Sequence, residues 1–331
     1  MNLVNGTPFS VASVVALSEN AEETLAVIIK ATYDVRTGKA RLMDTQDQIQ
    51  VADEYRGEPG KSSVRYASDR PLHKAATDVI LMGRAYADRA DCRQVDVRLQ
   101  VGAVTKTVRV FGDRVWVKAG SILSSTPARF ERIPLEYERS FGGVDETAGE
   151  SLRSNPVGVG FRGKGSRLDP IGARLPNLED PRLPIQSPKD RPPPAGFGFI
   201  APHWEQRSQF AGTYGPDWLS SHAPLLPPDY DPRFQQVAPP DQIARGYLRG
   251  GETVDVRNAS STGRLSFSLP APRVEVEVQM VGEATALPLQ LDTVVVDGDR
   301  EVVLMTWRGG LSVHERIYDV EAVRVTAEAV E

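Results

Sequence analysis

Seventeen of the 25 prolines fall between Asn155 and Gln242, a stretch that also carries nine large aromatics. Phe161, Phe197, Phe199, Trp204, Phe210, Tyr214, Trp218, Tyr230 and Phe234 give it apolar area that disordered segments lack. A proline at every few positions rules out long helices and central strands, because each removes a backbone donor and fixes φ. The segment is therefore expected to be ordered but irregular. Structureless connections of this length inside compact domains are usually functional surfaces or lids, so function is sought here first.

The flanks have a different period. Val95, Val97, Leu99 and Val101 alternate with Asp96, Arg98 and Gln100, and Val104, Val108 and Val110 follow a Gly102-Ala103 break. That pattern predicts a hairpin with a type II′ turn. Strands are also predicted at Val11–Leu17, Leu25–Val35 and Val79–Tyr86. After the centre, Val274, Val276, Val278 and Met280 alternate with polar residues. Leu289–Val296 and Glu301–Trp307 flank Asp297-Gly298, a pair that favours a type I′ hairpin, and Asp319–Ala327 reads as the last strand. Helical signals reduce to Pro216–His222 and Pro240–Arg245. The fold class expected is all-β: packed antiparallel sheets in two β-rich blocks, residues 1–154 and 251–331, joined by the proline- and aromatic-rich segment 155–250.

Composition narrows the function classes. A net charge of −5 with both signs interspersed offers no basic stripe for a nucleic-acid backbone. Cys92 is the only cysteine, so neither an internal disulfide nor a thiolate metal cage can form. Residues 1–9 lack the charged and apolar regions of a signal peptide, and no apolar run reaches about 18 residues. A cytoplasmic protein without membrane segments is expected.

Motifs that look like chemistry lack their context. Gly158-Val-Gly160-Phe-Arg-Gly163 spells a dinucleotide fingerprint, but Asn155-Pro156 precedes it and Pro170 follows soon after, where a strand and a helix are needed. Gly60-Lys61-Ser62 copies the tail of a P-loop, yet Tyr55 occupies the leading glycine position and Pro59 removes a donor. His73, His203, His222 and His314 never fall at i, i+4 spacing. Catalytic, cofactor and metal residues are accordingly expected to be none. Asp229, Asp231 and Asp241 could act as paired carboxylates on a glycosidic bond; beside prolines they also suit turns and caps. Tyr214, Trp218, Tyr230 and Arg233 are the types enriched at protein–protein hot spots and are the candidate partner-binding residues.

Eight strings in chain order carry a family likeness: Asp53-Glu-Tyr-Arg-Gly-Glu-Pro-Gly60, Lys61-Ser-Ser-Val-Arg-Tyr66, Val110-Phe-Gly-Asp-Arg-Val-Trp116, Tyr137-Glu-Arg-Ser-Phe-Gly-Gly143, Asn155-Pro-Val-Gly-Val-Gly-Phe161, Leu175-Pro-Asn-Leu-Glu179, Gly212-Thr-Tyr-Gly-Pro-Asp-Trp218 and Pro224-Leu-Leu-Pro-Pro-Asp-Tyr-Asp-Pro-Arg-Phe234. From about Asn5 to Pro270 the chain resembles a bacterial family long labelled a domain of unknown function, with members encoded beside type VI secretion genes. The resemblance implies a non-enzymatic adaptor or chaperone that binds a toxic effector and helps mount it on the VgrG or PAAR spike. It supplies no catalytic or ligand residues. The alternative is a glycan-active or glycan-binding β protein using the central aromatics and the three aspartates.

Overall fold

A computed structural model describes residues 1–18, 21–314 and 316–328. After β1 (Asn2–Asn5), strands β2 (Ser10–Leu17) and β3 (Glu23–Asp34) open a sheet whose order continues through Val302–Ser312 and Gln290–Asp297 to Asp78–Met82. Strands from both ends of the chain thus alternate in one sheet. A second sheet runs Leu178–Glu179, Val104–Phe111, Gln94–Val101, Thr253–Arg257 and Arg264–Ser268. A third orders β1, Val320–Ala327, Val274–Met280 and Glu283–Ala286. The all-β class holds, with three parallel strand pairings inside it: β1 on Val320–Ala327, Asp78–Met82 on Gln290–Asp297, and the short Phe141–Gly142 on Val159–Gly160.

The burial pattern explains the two kinds of strand sequence. Gln94–Val101 is covered on one face and alternates buried with exposed, whereas β3 and Asp78–Met82 are covered on both and are buried without alternation, through the apolar runs Leu25–Ile29 and Val79–Met82. The main core joins the three sheets, with Leu25, Val27 and Ile29 of β3 meeting Val97, Leu99, Val256, Val278 and Val323. The opposite face of the first sheet, through Ile80, Met82, Val295 and Leu304, packs under the centre's Phe199, Ile200, Trp204 and Val237. Residues 199–238 of the proline-rich segment form a lid on this face.

The 94–111 hairpin forms as expected, with Val101 opposite Val104 and Gly102 at φ +55°, the sign that the first position of a type II′ turn requires. Three local expectations need correction. The strand expected over Val79–Tyr86 breaks at Gly83 (φ +119°), and Arg84–Tyr86 leaves to pair with Arg132–Pro134. Asp297 and Val302 are paired, so the connection is four residues and not a type I′ turn. Asp297 Oδ1 accepts from Asp299 N and Arg300 N, and Glu301, not Gly298, takes the positive φ. Gly298 is there for space, since a Cβ would sit 1.8 Å from Ala259 O. Pro240–Arg245 yields only a 3-10 turn, Pro240–Gln242. The Gln242 amide is buried and donates to Val79 O and Phe197 O, tertiary bonds that override the helical signal.

Candidate functional site

Asp78 fixes the lid. Its buried carboxylate accepts from Lys74 Nζ, Gln236 Nε2, Val237 N and Ala238 N at 2.9–3.1 Å. Trp204, fully buried, meets Tyr137 edge-on with ring centroids 5.0 Å apart. The single helical turn Glu205–Ser208 then carries Arg207 inward. Arg207 donates from Nε to Phe234 O and from Nη1 to Ile200 O, and its guanidinium lies 5.1 Å from the Phe234 ring centroid. Only 7% exposed, it has no carboxylate within ion-pair distance among the described residues. Burial pushes its pKa down.

Arg207 is in the wall of a cavity of about 660 Å³ between the C-terminal end of β2, the Arg70–His73 loop and residues 224–237. Leu72, Leu225, Leu226 and Val237 make its lining mainly apolar. A hollow of about 450 Å³ along Leu225, Leu226, Pro227, Tyr230 and Pro232 shares its wall and extends it.

Of the four candidate partner-binding residues, Tyr230 lines both hollows. Its hydroxyl accepts from Gln235 Nε2, and its ring is 6.1 Å from that of Phe234. Tyr214, 54% exposed, stands edge-on to Trp218 at 4.8 Å, while Trp218 Nε1 donates to Leu225 O and so braces the cavity wall without lining it. Arg233 stacks 4.2 Å from the Phe210 ring and pairs with Asp231. Arg207, Leu72, Leu225 and Leu226 escaped sequence reasoning. The Leu225-Leu226 pair inside a proline run was a usable signal; Arg207, one of many arginines, offered none.

The three aspartates are committed to different partners. Asp229 accepts from Thr213 N and Oγ1, which hold its carboxyl below the usual range. Asp231 caps the 3-10 turn Pro232–Gln235, and Arg233 lowers its carboxyl likewise. Asp241 is bound by Lys106 Nζ at 2.8 Å, on Val104–Phe111. The lowered carboxyls of Asp229 and Asp231 are the opposite of what a general acid needs.

Of the two glycine motifs, the one at 158–163 is a packing device, and the one at 60–62 is a turn in which Gly60 takes φ +79°. Val159–Gly160 pairs with Phe141–Gly142, and a Cβ on Gly158 would come 2.4 Å from Asn155 Nδ2. Residues 56–63 link the antiparallel pair Glu54–Tyr55 and Val64–Tyr66. Cys92 is buried, its Sγ donating to Gln94 O, and burial raises its pKa. Among the described residues no group of His, Cys, Asp or Glu is placed to hold a metal ion, and no helix is long and apolar enough to cross a membrane.

The model of a family described as an uncharacterized protein conserved in bacteria, DUF2169, matches residues 20–308. No curated protein and no solved structure matches the chain.

Proposed function

The chain belongs to the DUF2169 family, and we propose that it is a cytoplasmic adaptor or chaperone that holds a type VI secretion effector and assists its loading onto the VgrG or PAAR spike. The observation that carries the binding half of this reading is the construction of residues 199–238. Buried groups such as Asp78 and Trp204 clamp the segment to the sheet, while Tyr214, Leu219, Tyr230 and the apolar cavity remain open to solvent or to a partner. A surface ordered in advance loses little conformational entropy on docking. The type VI half rests on the resemblance carried by the eight sequence strings.

The glycan reading has less in its favour, because Asp229 and Asp231 are tied to Thr213 and Arg233 and lowered. Co-expression with the effector encoded beside the gene tests the proposal. The effector should become soluble, co-elute with the chain and keep its intact mass. Insoluble effector in the presence of folded chain would refute it.

A further inference from the structure

β2 ends its sheet, and among the described residues no strand pairs with its outer edge. Exposed edges in natural proteins are blunted with charges, prolines or bulges, because unpaired N–H and C=O groups recruit other chains. Ser10-Val-Ala-Ser-Val-Val-Ala-Leu17 has none of the charges or prolines, pairs with β3 in unbroken register, and leaves Val15 and Leu17 40% and 47% exposed. Eight residues at about 3.3 Å each give an edge roughly 26 Å long.

The apolar cavity begins where this edge ends, at Ala16 and Leu17. Its charges are unbalanced. Arg70 and Arg207 face it against the single carboxylate of Asp53, and none of the three makes an ion pair among the described residues. Arg207 is nine-tenths buried, and its Nε and Nη1 are spent on carbonyls, not on carboxylates. A carboxylate binds guanidinium more strongly than a carbonyl does. An unpaired edge, an apolar trough and a buried guanidinium that has no direct ion pair among the described residues, with Asp53 and Asp78 acting on it only from farther away, together describe one occupant.

We propose that β2 and the adjoining groove form a strand-addition site for an extended segment of a partner polypeptide, apolar at alternate positions and bearing one carboxylate that meets Arg207. Main-chain bonds to the edge supply affinity, and the groove reads alternate side chains. The proposal deepens the adaptor reading and rests on it, with the effector as the source of the segment.

Random peptides displayed on phage are selected on the full chain, and the enriched ones are synthesised and titrated by fluorescence polarisation. They should alternate apolar residues and carry Asp or Glu. Binding should weaken at least tenfold with Ala16→Asp and with Leu226→Glu, stay unchanged with Val281→Glu, an exposed residue outside the groove, and weaken when the peptide carboxylate becomes an amide. Melting temperatures of all variants establish that they are folded, and Arg207→Gln, if folded, should abolish the carboxylate preference. No enrichment, peptides without this pattern, or binding indifferent to both groove substitutions overturns the proposal. So does a dimer of the chain that is lost with Ala16→Asp, which would make the occupant a second copy. Effector binding that survives both substitutions removes the groove and leaves the adaptor reading standing; patterned peptides without effector binding do the reverse.

Discussion

Replacing Asp78 by alanine should free the irregular lid while the three sheets stay assembled. The carboxylate is fully buried and receives four donors: the Lys74 ammonium, the Gln236 amide and the N–H groups of Val237 and Ala238. Without it Lys74 is a buried cation whose remaining partner is Thr293 Oγ1. Breaking a buried pair from one side costs about 3–5 kcal/mol, and each stranded buried donor about 1–3 kcal/mol. The lower ends together reach about 6 kcal/mol; relaxation and entering water reduce this to about 4–6 kcal/mol, a large share of the 5–15 kcal/mol typical of a domain. Urea unfolding followed by tryptophan fluorescence measures the loss. Limited proteolysis locates it, and cleavage should begin within residues 199–238. Asp231→Ala is the control, since a half-exposed cap and ion pair contribute about 1 kcal/mol. A loss below about 1.5 kcal/mol for Asp78→Ala, or cleavage spread evenly along the chain, would refute the clamp.

Trp204→Ala should cost about 3–5 kcal/mol in chemical denaturation, as for other buried tryptophans, whereas Trp218→Ala should cost clearly less and mainly alter partner binding; equal losses would place both in the core. Gly298→Ala should destabilise by about 1–3 kcal/mol or more, because its Cβ would strike Ala259 O, and an unchanged melting temperature would contradict that contact. The Asp145 carboxyl is held well below its usual range, chiefly by the Ser166 and Thr147 hydroxyls, and Asp229 and Asp231 are lowered by Thr213 and Arg233. A depressed folded-state pKa stabilises above the unfolded value and loses that stabilisation as protons bind the folded carboxylate. The melting temperature should therefore fall as pH drops below about 4, and Asp145→Asn should flatten the fall; an identical profile would refute this assignment.

The fold was legible where a single local signal decides the structure. Alternation over 94–111 with Gly102 at its tip specified a hairpin and its turn, and Pro216 at a first-turn position marked the helix Pro216–Ser221. Legibility failed where distant contacts decide. Asp297-Gly298 has the composition of a tight turn, but Gly298 is required by Ala259 O, which lies far away in sequence. Gln242 sits in a helical signal yet spends its amide on Val79 and Phe197. That strands near the two termini share a sheet is likewise invisible, since periodicity gives the faces of a strand and not its neighbours. The centre was recognisable as an ordered surface from its aromatics. The groove was not, because it combines Ala16, Leu72, Arg207 and Leu226 from four separate segments.

The most direct test of the central claim is isothermal titration of the purified chain with the purified effector encoded beside it. The adaptor account expects saturable binding at a fixed stoichiometry, weakened about tenfold or more by Tyr230→Ala with the fold intact, and an effector of unaltered mass. No heat of binding to that effector, together with turnover of a glycan that disappears in Asp229→Asn or Asp231→Asn, would contradict it and establish the chain as an enzyme.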